Sequence, residues 1–236
     1  MSRTAVVTGS GSGVGRAVAL QLAREGWNVG LVGRRPEALQ ETISLAGQWS
    51  SKMLAAPSDV ADPAQVARAA ELIVEKFGAP EVLVAAAGLN IPKRAWEVLS
   101  YEDYQHVINA NLTGTFNWVR QLLPAMREKQ TGTIVAIVSD AALTAMPKAG
   151  AAYTASKFAQ RGLVQSINAE ERQHGIRATA ILPGDINTPI LDKRPVPPPP
   201  EARAKMLQAD DVAACVLLAI NLPQRAIIEE LLLRPR

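Results

Sequence analysis

"TAVVTGSGSGVGRAVALQLAREG" (residues 4–26) is the stretch on which the fold turns. It opens with β-branched and small apolar residues, continues with apolar residues at helical spacing, and closes on Gly26. Between the two parts stand Gly9, Gly11, Gly13 and Gly15. A strand, a glycine turn and a helix in this order open a βαβ unit. Glycine allows a sharp turn and a close backbone approach to a bound group. The helix beyond offers free N–H groups and a positive dipole end, which suit a pyrophosphate. A merely flexible glycine loop would need neither the strand before it nor the helix after it.

The pattern repeats outward. "NVGLVG", "KMLAAP", "EVLVAAAG", "GTIVAIVS" and "IRATAILPG" read as further strands, and "IIEELLLRP" as a short last one. Helical patterns separate them. "PEALQETISLAG" carries Pro36 at its start, and "DPAQVARAAELIVEKFG" has Asp62 as N-cap, Pro63 in the first position and Gly78 past the end. A long helical stretch covers about residues 101–129, another helix 151–174. Strands apolar throughout and separated by helices predict a parallel sheet covered on both faces. The expected fold is α/β: a doubly wound parallel sheet of Rossmann type, three layers, one domain over residues 1–236, with ligands at the carboxyl ends of the strands.

Residues 189–208, "PILDKRPVPPPPEARAKMLQ", break the rhythm with four consecutive prolines, Pro197–Pro200. They read as a loop over the sheet edge, stiffened by polyproline geometry, that covers the substrate, with Ile190 and Leu191 as apolar contacts. A surface loop without a catalytic part is the competing view.

With 48% hydrophobic and 20% charged residues, the composition is that of a soluble globular chain. A net charge of +3 without a basic run gives no case for nucleic acid. The one cysteine, Cys215, lies in an apolar helical pattern and reads as a buried inert thiol. No apolar run is long enough to span a bilayer, and the N-terminus shows no signal-peptide pattern, so a cytoplasmic location is expected. His106 and His174 each follow carboxylates one turn earlier and read as solvated helix contacts; no metal site is expected.

"AAYTASKFAQ" (residues 151–160) places Tyr153 and Lys157 on one helix face. A free tyrosine, with a pKa of about 10, is a poor acid–base catalyst at neutral pH, and a nearby ammonium favours its phenolate. Lowering that pKa by about 3 units takes about 4 kcal/mol of preferential stabilisation of the anion. An incidental pair on an exposed helix is the alternative.

The spacing T-G-x-x-x-G-x-G through Thr8, Gly9, Gly13 and Gly15, together with Tyr153 and Lys157, resembles the short-chain dehydrogenase/reductase (SDR) family over nearly the whole chain. The resemblance implies a nicotinamide-dependent oxidoreductase whose glycine turn, Gly9, Ser12, Gly13, Val14 and Gly15, holds the cofactor. At the end of the second strand Gly33 stands where relatives place an acidic residue for the adenosine ribose, followed by Arg34 and Arg35. That points to NADP(H) over NAD(H), while Ser12 stands where many NADP-using relatives have a second basic residue. Two solvated surface arginines are the other reading. Asp59 and Val60 match the adenine-contacting pair. Ala85, Ala86, Ala87 and Gly88 match the usual N-N-A-G with both asparagines lost, which removes a brace of the central strands.

Pro183, Gly184, Ile186 and Thr188 match the segment near the nicotinamide and phosphates. Asn111 matches the helix asparagine. Counting back thirteen residues from Tyr153 reaches Asp140, but aligning the fifth strand puts Ser139 on the catalytic serine, with one extra residue in the following loop. A carboxylate would also repel the developing alkoxide.

In the implied reaction Ser139 holds a carbonyl oxygen, the nicotinamide gives hydride, Tyr153 gives the proton, and Lys157 orients the ribose. Asn111 and Lys157 hold a water chain. The expected partner is a small carbonyl or alcohol substrate. The ending "IIEELLLRPR" is similar to that of a subgroup acting on serine and other 3-hydroxy acids. A homodimer or homotetramer is expected through the helices carrying residues 109–128 and 151–171. Two rival readings are a nucleotide-sugar epimerase and a cofactor-binding regulator or scaffold without turnover.

Overall fold

Strand β1 (Thr4–Thr8) is buried along its whole length. It can be apolar on both faces because helices cover both sides of it. It pairs in parallel with β2 (Asn28–Gly33) on one edge and β4 (Val82–Ala85) on the other. With β3 (Met53–Pro57), β5 (Gly132–Ile137), β6 (Ile176–Pro183) and β7 (Glu230–Leu233), the order is β3-β2-β1-β4-β5-β6-β7, parallel throughout. The computed structural model describes residues 3–236. The winding reverses between β1 and β4, which opens a crevice at the carboxyl ends there.

Helices α1 (Gly13–Arg24), α2 (Pro36–Leu45) and α8 (Ala209–Asn221) cover one face; α3 (Pro63–Phe77), α5 (Gly114–Glu128) and α6 (Ala151–Glu171) cover the other. On the first side Val18, Leu22, Val212 and Val216 pack on Val7 and Val29. On the second Ile73, Trp118, Leu122 and Val164 pack on Val6, Leu83 and Ala136. This is the three-layer Rossmann-type domain the alternation predicts. Cys215 on α8 is only partly buried but packs against the first cluster.

The local signals of α3 act as expected. The Asp62 carboxylate accepts from the Ala64 and Gln65 N–H groups, Pro63 begins the helix, and Gly78 follows it at φ +80°. Three details differ from the sequence reading. The 101–129 stretch is two helices, α4 (Tyr101–Ile108) and α5, joined by a π-helical turn at Asn109–Thr113 that buries Asn111. Strand β4 stops at Ala85, because the Thr8 hydroxyl accepts from the Ala86 and Ala87 N–H groups at 3.0 and 2.9 Å and draws them out of the ladder. Pro200 is not part of an extended arm but opens the short helix α7 (Pro200–Arg203), as suits a residue that needs no N–H there. Among the described residues no helix is long and apolar enough to cross a membrane, and no cluster of His, Cys, Asp or Glu could hold a metal ion.

Candidate active site

The glycine turn after β1 is built by close approach. Gly9 has φ +67°, and a Cβ there would stand 2.8 Å from the Ala86 carbonyl oxygen; one on Gly15 would stand 2.5 Å from the Gly9 oxygen. Only glycine permits both. The N-cap residue Ser12 is extended and makes no side-chain cap, so the first N–H groups of α1 stay open to an anion. Arg16 holds the turn from behind, donating to the Gly11 carbonyl at 2.6 Å and to Thr42 Oγ1 at 3.1 Å while pairing with Glu41 at 2.6 Å.

Two cavities meet at this turn and share Gly9, Ser12 and Gly88. The first, of about 290 Å³, has Arg34, Arg35, Asp59 and Val60 in its walls. Both arginines are exposed, and neither forms an ion pair among the described residues. At Gly33 an added Cβ would press on Leu39 Cδ2 at 3.2 Å, so an apolar methyl occupies the surroundings of the missing carboxylate. Asp59 accepts from the Ala61 N–H, and Val60 packs on Gly114. His106 also lines this cavity, which its carboxylate spacing did not suggest.

The second cavity, of about 270 Å³, brings together Gly13, Val14, Gly15, Ser139, Tyr153, Lys157, Pro183, Gly184, Ile186 and Thr188. Thr188 Cγ2 lies 3.2 Å from the position of a Cβ on Gly13, so the loop after β6 closes on the glycine turn. Asp140 lines the cavity beside Ser139, within a single 3-10 turn (Asp140–Ala142). The Ser139 hydroxyl accepts from the Ala141 N–H at 3.1 Å.

Burial decides the proton affinities. It raises the Tyr153 phenol above its ordinary value; the Ser139 hydroxyl opposes this, Asp140 adds to it, and Arg194 and Arg94 oppose it. Burial also lowers Lys157 to about 7. The simple expectation, an ammonium lowering the phenol beside it, is therefore not met by the protein alone. The Lys157 Nζ stands 5.6 Å from the Tyr153 ring centre and donates elsewhere, to the Ile137 carbonyl at 2.9 Å and to Gln160 Oε1 at 2.8 Å. One ammonium N–H is left for a ligand.

Asn111 is fully buried, and its side chain is committed: Oδ1 accepts from the Leu89 N–H, and Nδ2 donates to the Leu89 carbonyl and to Ser156 Oγ. Its main-chain carbonyl joins Lys157 through side chains, since Gln160 donates to Thr115 Oγ1 at 2.9 Å and Thr115 donates to the Asn111 oxygen at 3.0 Å. The sequence reading missed Gln160. Its spacing of three from Lys157 was the available signal.

Beyond Tyr153 the cavity is walled by Asn90, Arg94, Lys148, Ile190, Leu191 and Arg194. Arg94 is buried. The loop 189–208 closes on itself: the Asn187 N–H donates to the Leu207 carbonyl, and the Leu207 N–H to that of Asp185. Asp185 in turn pairs with Lys148 at 2.8 Å and Arg194 at 2.6 Å. Both ends of the loop are thus pinned.

The fold and the cleft define a dinucleotide-binding oxidoreductase. Residues 3–196 match the family model described as short chain dehydrogenase. The chain is 34% identical to the sepiapterin reductase of Chlorobaculum tepidum, over all of this chain and 97% of the reductase. It is 32% identical to the D-beta-hydroxybutyrate dehydrogenase of Rhizobium meliloti, over 92% and 83% of the two. The alcohol dehydrogenase of the archaeon Thermococcus sibiricus, solved with 5-hydroxy-NADP, superposes with a TM-score of 0.88 at 29% identity, covering 100% of this chain and 97% of that one. The chain belongs to the short-chain dehydrogenase/reductase family, whose members bind a nicotinamide cofactor.

Proposed function

We propose that the protein is an NADP(H)-preferring dehydrogenase/reductase that interconverts a small carbonyl compound and its secondary alcohol. One observation carries this reading: the cavity walled by Arg34 and Arg35 adjoins, at Gly9, Ser12 and Gly88 of both walls, the cavity that holds Ser139, Tyr153 and Lys157. The cofactor, when bound, gives or takes the hydride. Ser139 holds the substrate oxygen, and Tyr153 moves its proton. A phenol raised by burial keeps that proton at neutral pH, which suits the reductive direction. Lys157 holds the cofactor ribose with its remaining N–H. Arg34 and Arg35 receive the 2′-phosphate; the structure solved with 5-hydroxy-NADP is in keeping with this.

NADPH oxidation across aldehydes, ketones and oxo acids tests the reading. Ser139→Ala should lower turnover by about a hundredfold, as for loss of an oxyanion donor, with cofactor affinity little changed. Asp140→Ala losing more than Ser139→Ala would move the role to Asp140. NADPH should bind more tightly than NADH, and Arg34→Ala should shrink that gap; an unchanged gap would remove the phosphate site.

A further inference from the structure

Arg94 and Arg177 are both buried arginines, 6% and 7% exposed, and the contrast between them is informative. Each of the five Arg177 N–H donors has an acceptor: Thr133 Oγ1 and the carbonyls of Pro223, Ala226, Ile220 and Leu222. Its role is complete within the fold. Arg94 donates only three times, from Nε to the Ile91 carbonyl at 2.6 Å, from Nη1 to that of Lys148 at 3.1 Å and from Nη2 to that of Lys193 at 2.7 Å. One N–H is left on each terminal nitrogen. No carboxylate lies within ion-pair distance of Arg94 among the described residues. A buried cation without a counter-charge is costly.

Arg94 lines the active-site cavity together with Arg194, and the two charges repel: burial first, then Arg194, lowers the Arg94 guanidinium. The carboxylates in the walls do not relieve this. Asp185 is already shared between Lys148 and Arg194, and Asp140 faces Arg234 at 3.7 Å. Arg94, Lys148 and Arg194 against Asp140 and Asp185 leave this end positive even without Lys157.

We infer that the substrate is a short oxo acid or its hydroxy acid, and that Arg94 and Arg194 bind its carboxylate. This rests on the carbonyl-reductase reading of the same cavity. Arg94 supplies two free donors for two carboxylate oxygens, and the anion separates two like charges. Arg94 and Arg194 line the same cavity of about 270 Å³ as Ser139 and Tyr153, which places the carboxylate near the reacting carbonyl. The carboxylate is unchanged in the reaction: hydride adds to the carbonyl carbon, the Tyr153 proton goes to the oxygen, and NADPH becomes NADP⁺.

The test compares 2-oxobutanoate, 3-oxobutanoate and 4-oxopentanoate with their methyl esters, using the unaltered enzyme. At least one acid should exceed its ester tenfold or more in kcat/KM. Arg194→Gln should collapse that ratio through KM, with the acid losing far more than its ester. In parallel, butanoate and butanamide are titrated against the NADP⁺-loaded protein. Butanoate should bind and butanamide should not, and Arg94→Met should abolish binding; if that variant does not fold, Arg194→Gln must weaken binding. Esters reduced as well as acids, or equal binding of butanoate and butanamide, would overturn the inference and leave the reductase reading intact. Butanoate binding with no carbonyl reduced would instead sink the reductase reading alone.

Discussion

At Lys157 burial and hydrogen bonding pull in opposite directions. Burial has the larger effect and brings the ammonium to about 7 from an ordinary 10.5. Between those values the unfolded chain binds a proton that the folded protein does not, so stability must rise with pH across that window. The destabilisation is complete below about 7 and gone above the unfolded value. Without added nucleotide, the urea stability of the parent relative to Lys157→Met should therefore improve by a few kcal/mol from pH 7 to pH 10. A constant difference would mean that Lys157 is not desolvated.

Gln160 is the protein's counterweight. Fully buried, it offers Oε1 to the ammonium, and a hydrogen bond to a charged group contributes about 1.5–3 kcal/mol. Gln160→Leu should lower the pH at which activity is lost on the alkaline side, and Gln160→Glu should raise it. Equal pH profiles in all three proteins would reduce Gln160 to a packing residue.

At the scale of elements, the loop after β6 depends on Asp185. Burial would raise this carboxyl, but hydrogen bonds from Lys148 and Arg194 outweigh it and hold it below its ordinary value. Such a group stabilises the loop above the ordinary aspartate range and loses its grip as pH falls through the depressed value. Asp185→Asn removes the charge at neutral pH. Cleavage near Lys193 and Arg194 in limited proteolysis should then become at least severalfold faster, and NADP⁺ with substrate should protect the parent. Equal rates would mean that the loop is held by its backbone pins alone.

What was legible in the sequence separates at this scale. Helix α3 was readable to its caps because Asp62, Pro63 and Gly78 act on their own neighbours. That Ser139, Tyr153 and Lys157 share one cavity was readable from the strand and the helix that carry them, although spacing alone pointed to Asp140. Arg94 was not: it acts through carbonyls 54 and 99 residues away, and its loop has no periodicity. Thr8 was visible only as part of the glycine motif, yet it braces the end of β4 from 78 and 79 residues away.

For the whole molecule, the outer face of α6 bears on assembly. Its small residues could have packed against the protein's own sheet, but Ala155, Ala159 and Gly162 are exposed, and a Cβ on Gly162 would meet nothing within 4 Å. Phe158 on the same helix and Phe116 on α5 are 43% and 44% exposed, and Tyr104 on α4 is also exposed. Small residues let a partner helix approach closely, and aromatic rings beside them supply the area that association needs. We propose that two copies pair α5 and α6 across this face, as a dimer or as half of a tetramer. Light scattering at micromolar concentration should give at least twice the 25.2 kDa chain mass. Gly162→Arg together with Phe158→Glu should shift the population to monomer while leaving the far-ultraviolet circular dichroism unchanged. A monomeric parent would remove the claim, and an oligomer that survives both substitutions would place the interface on another face.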